Sequence, residues 1–428
     1  MAVLLSVGLV AASAPADAFG ITHNTAVATL VADAGGDRAA LALTLNELTG
    51  ATPAPVGGGY YTILTRNAGS GRPIDMAEQY VYEHLLDDGL DLVKYQNFDG
   101  WSDGRNVIGQ ITGATRPDEV VIVCAHLDSW ADPDPRRAPG ADDNASSVAA
   151  LLYLSETFGG SRFDRTLRFV FLGGEEWDYD GSWAYTRALR NAGENVVAVI
   201  NADMIGWNGT GTQKVELHTR AAGRGDPDIW TARRYCEAVA TYGIDGIRPR
   251  VMKDGAGWSD HWSFWHHGYG ATCLIEDTTT RDNPYYHSSQ DTVAHLSWNY
   301  YVRVTQGLTA TVAHVAWLQG TGADGDIYVW RIAMAAYRAD GKRGARATVT
   351  VYDSTLTPVE GARVYGSFTG ATSDTRSAVT NGYGRAKLRS TPRARGGTWA
   401  FAVTGVNKAG WTYDPSRNVV SSATITLR

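Results

Sequence analysis

Cysteine is scarce in this chain: three in 428 residues. That excludes a disulfide framework, and no Cys-x-x-Cys spacing points to a thiolate metal site. Cys124 and Cys273 lie in apolar runs, where cysteine behaves as a small buried hydrophobe. If one bridge forms, Cys236–Cys273 is the favoured pair. Long hydrophobic runs are also lacking, so no membrane span is expected. Basic residues are not in excess. The net charge of −7 argues against a nucleic-acid or anionic-membrane partner. The content of 44% hydrophobic and 19% charged residues is that of an ordinary soluble protein. The length allows two or three domains.

The amino terminus has an apolar run, residues 2–14, too short for a bilayer helix. Two small-residue sites follow, Ala12-Ser13-Ala14 and Ala16-Asp17-Ala18. The pattern resembles a secretory signal over residues 1–18, although a basic segment before the apolar run is missing. Secretion is therefore expected. Residues 19–70 read as a cover segment, with a helix over 38–48 and a Gly/Pro-rich turn over 53–59.

From residue 71 the pattern becomes regular. Residues 73–88 read as an amphipathic helix with Pro73 near its start. Strands are expected over 91–98, 106–112 and 120–125. Helices over 143–158, 182–191, 227–242, 259–266 and 298–318 then interleave with strands over 166–172, 195–201, 214–219 and 271–275. Such alternation predicts an α/β fold, a largely parallel mixed sheet with helices on both faces, over residues 71–320. Residues 321–325 read as a linker. Residues 326–428 show short alternating stretches between turns, which predicts an all-β sandwich with no catalytic constellation.

The chemistry gathers around residues 121–144. A buried strand pattern ends in His126-Leu127-Asp128, a loop with three prolines follows, and Gly140-Ala141-Asp142-Asp143-Asn144 opens the next helix pattern. Ligand crevices in open α/β sheets lie outside the carboxyl ends of the strands. His126 and Asp142 are therefore read as metal ligands. Glu175 and Glu176 follow the next strand, Asp203 the one after, and His287 the loop beyond residue 275. Any one polar residue at a strand end is ordinary. A lone His-x-Asp is more often structural, and a lone Glu-Glu more often a solvated turn. Several that converge on one crevice each cost desolvation unless paired or bound to a metal. Two imidazoles and three carboxylates suit a pair of Zn²⁺ ions, provided one carboxylate bridges them. Asp128 has the placement of a partner that holds an imidazole nitrogen.

As a set, the motifs resemble the secreted di-zinc aminopeptidases of the bacterial leucyl aminopeptidase type. They are His126-Leu127-Asp128, Gly140-Ala141-Asp142-Asp143-Asn144-Ala145-Ser146, Gly174-Glu175-Glu176, Asp180-Gly181-Ser182, Asn201-Ala202-Asp203-Met204-Ile205-Gly206, Ser259-Asp260-His261 and His287-Ser288-Ser289-Gln290-Asp291-Thr292. The resemblance implies that Asp142 bridges two Zn²⁺ ions. His126 and Asp203 would complete one site, Glu176 and His287 the other. Glu175 would be the general base toward a bridging water, then the acid toward the leaving amine. Asp128 would orient His126, and Asp143 and Asp291 would support the ligands from behind. A cis bond between Asp142 and Asp143 is implied as well. Tyr286 matches a donor to the developing oxyanion, or else it is a pocket wall.

The chain departs from the family at Trp258, where some members carry an arginine before the Ser-Asp-His motif. Trp258, Trp262 and Phe264 are the expected apolar walls of the substrate pocket. The adjacent pair His266-His267 does not suit a third metal, because neighbours on a helix do not face one point. Calcium is a further candidate cation, but no residue pattern defines its site. The expected activity is hydrolysis at the free amino terminus of peptides by a monomeric secreted enzyme. A dipeptidase or carboxypeptidase on the same scaffold is the alternative. A glutaminyl cyclase and a non-catalytic peptidase-like binding domain are weaker ones.

Overall fold

The structure is a computed structural model that describes residues 21–209, 211–221, 226–318, 326–339, 341–353, 357–408 and 411–427. The expected signal and the expected linker lie outside these residues. Ahead of the main sheet stand helices α1 (Thr25–Gly36), α2 (Arg38–Leu48) and α3 (Arg72–Asp88) and the small hairpin β1 (Ala54–Val56) and β2 (Gly59–Tyr61). The sequence pattern indicated α2 and α3 but not α1. Asn24 caps α1 by accepting from the amides of Ala26 and Val27, which satisfies donors the helix leaves free.

The main sheet has eight strands: β3 (Leu92–Phe98), β4 (Gly104–Ile111), β5 (Arg116–His126), β6 (Arg165–Leu172), β7 (Asn195–Ala202), β8 (Lys214–His218), β9 (Arg248–Met252) and β10 (Thr272–Glu276). Their order is β3-β4-β6-β5-β7-β10-β8-β9. The centre, β6-β5-β7-β10, is parallel, and antiparallel pairs occur on both sides of it. This is the expected mixed sheet. β5 is central because residues 120–126 are all buried, as a strand covered on both faces requires. Val121, Val123 and Ala125 face one layer. Val120, Ile122 and Cys124 face the other.

The first layer includes α3, α4 (Ser147–Phe158), α6 (Asp226–Thr241) and α8 (Trp298–Val315). The second holds α5 (Asp180–Ala192) and α7 (His261–His266). Because β5 lies between β6 and β7, the chain leaves the sheet on three adjacent strands at one rim. The register pairs His126 with Leu172 and Cys124 with Asn201. Side chains that follow these residues therefore share one crevice.

The C-terminal part forms two antiparallel-rich sheets. One is β15 (Arg385–Arg389), β12 (Lys342–Asp353), β11 (Asp326–Ala339) and β17 (Thr412–Tyr413). The other is β14 (Asp374–Val379), β13 (Arg363–Gly370), β16 (Gly397–Asn407) and β18 (Ser422–Leu427). Between them lie Val349, Val351, Phe368, Trp399 and Phe401. The sandwich docks on the α/β part near the end of α3. There Arg385 donates to the carbonyls of Asp88 and Gly159, and Lys387 pairs with Glu156. The three cysteines are free, so no Cys236–Cys273 bridge forms. Cys273 is instead buried in the strand β10.

Candidate metal centre

The rim of β5, β6 and β7 carries the site. His126 is the last residue of β5 and is 1% exposed. Its Nε2 lies 3.2 Å from Asp143 Oδ1 and 3.4 Å from Asp203 Oδ1. The second oxygen of Asp143 lies 3.3 Å from His287 Nε2, which in turn is 2.8 Å from Glu176 Oε2. Two groups that share Asp143 result, His126/Asp143/Asp203 and Asp143/Glu176/His287, beside a third of His126, Glu175 and Glu176. Within each, the donor atoms lie within 4.8 Å of one another.

This corrects the sequence reading, which gave the shared position to Asp142 and a supporting role to Asp143. The reason is local backbone geometry. The helix expected from residue 143 starts only at Ser147. Residues Ala141–Ser146 form a wide turn in which Asp143 (φ −106°, ψ 90°) and Asn144 are not helical. Side chains alternate there. Asp142 turns away from the crevice and accepts from the Gly206 amide and from Asn283 Nδ2, both at 2.8 Å. Asn144 donates to the Ala202 carbonyl and accepts from the Met204 amide. Ser146 Oγ accepts from the Ile205 amide. Three residues of one parity thus bind the β7-end loop, and Asp143 points the other way. The cis bond is Asp143–Asn144, one residue later than expected.

Asp291 fixes the start of this turn. Its carboxylate accepts from the amide of Asp142 at 2.9 Å and of Asp143 at 3.0 Å. Asp128 is fully buried. Its carboxylate accepts from the amides of Glu175 (3.1 Å) and Glu176 (3.2 Å), which holds the acidic loop after β6. The expected contact to His126 Nδ1 is made by the Asp128 backbone carbonyl at 3.2 Å, with the carboxylate farther away at 3.7 Å. Left-handed backbone occurs at His287 (φ 52°) and at Met204 (φ 48°), the residue after Asp203. Non-glycine residues there are uncommon and cluster at functional sites.

The donor set fits divalent cations. His287 Nε2 and Glu176 Oε1 are buried without a well-aligned hydrogen bond among the described residues, although Glu176 Oε2 is close to the ring. Close approach without alignment is expected of ligands that converge on a shared ion, and unpaired buried polar atoms call for such an explanation. Burial, then the charge of Asp143, pushes the Glu176 carboxyl up to about 8. Burial also raises Glu175 well above the usual range, with Glu176 and Asp203 adding to it. Burial acts on Asp143 in the same sense, but hydrogen bonds from His126 and His287 outweigh it and hold the acid ionised. Nitrogen and oxygen donors of this kind suit zinc.

Of the expected pocket walls, Trp258 and Trp262 are 39% and 41% exposed, whereas Phe264 is fully buried among Cys124 and Tyr185. Phe264 is therefore a core residue, because α7 turns it onto the sheet. Tyr286, 47% exposed, stacks on the His287 ring with centroids 3.7 Å apart. The rings of His266 and His267 pack on Trp183, and neither residue belongs to a cluster with metal-binding geometry among the described residues.

The family model described as Peptidase family M28 matches residues 106–312. This stretch is similar to M28 peptidase domains. It contains every residue of the two ligand groups. Over 230 residues the chain is 30% identical to a probable leucine aminopeptidase of Trichophyton verrucosum, which covers 52% of this chain and 60% of that protein. It is 32% identical over 202 residues to one of Arthroderma benhamiae, with 45% and 52% covered. The chain thus spans between half and two thirds of the length of these relatives. In fold, the chain is similar to the LapA aminopeptidase of Legionella pneumophila, with a TM-score of 0.58, 19% identity and coverage of 75% and 81%. It is also similar to a glutaminyl cyclase of Bacteroides thetaiotaomicron, with a TM-score of 0.51, 19% identity and coverage of 64% and 97%. An aminopeptidase and a glutaminyl cyclase thus both share this fold, and the fold alone does not choose between the two activities.

Proposed function

We propose that the protein is a zinc-dependent aminopeptidase whose two metal sites share Asp143. The observation that carries this reading is the pair of ligand groups joined by one carboxylate, each oxygen of which approaches a different histidine. His126 and Asp203 would hold one ion, Glu176 and His287 the other. Bound there, such ions polarise a substrate carbonyl and lower the pKa of water. A site with a single metal, the simpler cyclase-like alternative, would leave one of the two groups without a role.

The remaining steps belong to the chain. Glu175 stands on the acidic loop beside the ligands, and burial raises its affinity for a proton. It therefore accepts a proton from the attacking water and returns it to the leaving amine. Asp128 holds the amides of Glu175 and Glu176, so the base and its neighbouring ligand keep a fixed separation. Tyr286 is exposed at the mouth and stacked on His287, within the crevice where a developing oxyanion needs a donor. Trp258 and Trp262 offer apolar surface for the first side chain of the peptide.

The test compares leucyl-p-nitroanilide with its N-acetyl form, before and after chelation. Turnover of the free-amine substrate alone, lost with chelator and regained with Zn²⁺, is the expected result. Preference for the acetylated substrate, or full activity after chelation, overturns the reading. Cyclisation of an N-terminal glutaminyl peptide without cleavage would assign the cyclase activity instead.

A further inference from the structure

Arg66 lies outside the M28 match, on the extended segment between the β1–β2 hairpin and α3, and its residue is 0% exposed. Its guanidinium makes no ion pair within bonding distance among the described residues. Every hydrogen bond it gives goes to a backbone carbonyl. Nε donates to Leu127 (2.8 Å), one terminal nitrogen to Leu48 (2.9 Å) and Pro139 (2.7 Å), and the other to Gly140 (2.9 Å). Leu127 follows His126, and Gly140 opens the turn that carries Asp143. One planar cation therefore joins the two ends of the proline-bearing loop between the ligands, and ties both to the end of α2.

Two neighbours complete the clamp. Ser129 Oγ accepts from the Arg66 amide (3.1 Å) and donates to the Ala138 carbonyl (2.8 Å). Thr65 Oγ1 donates to the Pro135 carbonyl (2.6 Å). Gly140 shows how tight the fit is. Its φ is +49°, and a Cβ there would lie 2.2 Å from the Asp143 carbonyl and 3.0 Å from an Arg66 terminal nitrogen. A buried arginine loses much hydration, and it is tolerated when all its donors are satisfied and acidic groups stand near. Burial lowers the guanidinium to about 10, while the charges of Asp291, Asp143, Asp128 and Glu176 act in the opposite direction.

We propose that Arg66 is a positioning residue of the metal centre. It sets the spacing between the strand end that carries His126 and the turn that carries Asp143, so that one carboxylate oxygen faces each histidine. The N-terminal segment is thereby part of the ligand framework as well as a cover. This inference rests on the metal reading above.

The experiment uses the full chain, stripped with chelator and titrated with Co²⁺, with visible absorption as the report on ligand geometry. Zn²⁺ competition gives affinity. Wild type, Arg66→Lys and Ser129→Ala are compared, with near-ultraviolet circular dichroism to verify tertiary packing. Loss of a partner behind a ligand typically weakens metal affinity about 10- to 100-fold. Arg66→Lys keeps the charge but not the planar fork, so a weakening of that size and an altered Co²⁺ spectrum are expected with the dichroism retained. Ser129→Ala should move both readouts in the same direction by less. A purely structural role would lower thermal stability and leave affinity and spectrum alone, and that result overturns the inference. Should Arg66→Lys not fold, Ser129→Ala decides: unchanged affinity and spectrum overturn it. No uptake of Co²⁺ by the wild type overturns the metal reading itself.

Discussion

Replacement of Glu175 by glutamine isolates the proton-transfer step. The side chain keeps its size, and the backbone amide that anchors it to Asp128 Oδ1 is untouched. The ligand groups that share Asp143 do not include Glu175, so both should keep their metals. What is lost is a carboxylate whose proton affinity burial raises toward the working range of a general base. General acid–base catalysis is worth about 10²–10⁴-fold, or about 2.7–5.4 kcal/mol of transition-state stabilisation at 1.36 kcal/mol per decade. Glu175→Gln should therefore lower kcat on leucyl-p-nitroanilide by at least about 10²-fold with little change in KM. Metal content by mass spectrometry should stay at the wild-type value. A kcat within about threefold of wild type refutes the role. Loss of metal refutes it as well, because Glu175 would then be a ligand; a third cluster of His126, Glu175 and Glu176 is the geometry that outcome would point to.

Two other predictions concern stability. Burial raises the Glu47 carboxyl to about 7, while Tyr80 Oη donates to it at 2.6 Å. The folded protein then holds a proton that the unfolded chain releases from about pH 4.5 upward, so this group's contribution falls as pH rises between about 4.5 and 7. Glu47→Gln should raise the melting temperature at pH 8 and change it little at pH 4; equal shifts at both values would contradict this. Leu151 on α4 is fully buried in the main core. Leu151→Ala should cost about 2–5 kcal/mol in denaturant unfolding, and a loss below about 1 kcal/mol would show that the α4 layer is less tightly packed than described.

The sheet was legible because apolar runs and strand-end polar residues recur with α/β periodicity; the central strand, most of its neighbours and the helices near the site follow from that pattern. The identity of the shared carboxylate was not. Asp142 and Asp143 are adjacent and chemically identical, and only the alternating geometry of Ala141–Ser146 decides which one faces the crevice. The 3.6-residue period begins only at Ser147 and does not extend into this turn. Phe264 failed for a related reason. A short aromatic helix has both a wall face and a core face, and composition does not separate them. Arg66 left no signal because its partners are carbonyls, which every residue has. The long-range link between Asp291 and the Asp143 turn is visible in the sequence only as a motif, and its content is one carboxylate that accepts from two backbone amides nearly 150 residues away. The three free cysteines lie on separate elements, Cys124 on β5, Cys236 on α6 and Cys273 on β10.

The central claim is that one carboxylate, Asp143, joins two metal sites. The direct measurement is zinc per chain after dialysis, for wild type, Asp143→Asn and Asp142→Asn side by side. The wild type should hold about two ions, as a pair of sites with nitrogen and oxygen ligands requires. Asp143→Asn should fall below about one, because both groups lose a ligand at once. Asp142→Asn should stay near two, because its carboxylate is engaged by the Gly206 amide, the Asn283 side chain and the Glu276 carboxyl and belongs to no ligand group. The opposite pattern, with zinc retained by Asp143→Asn and lost from Asp142→Asn, would contradict the account.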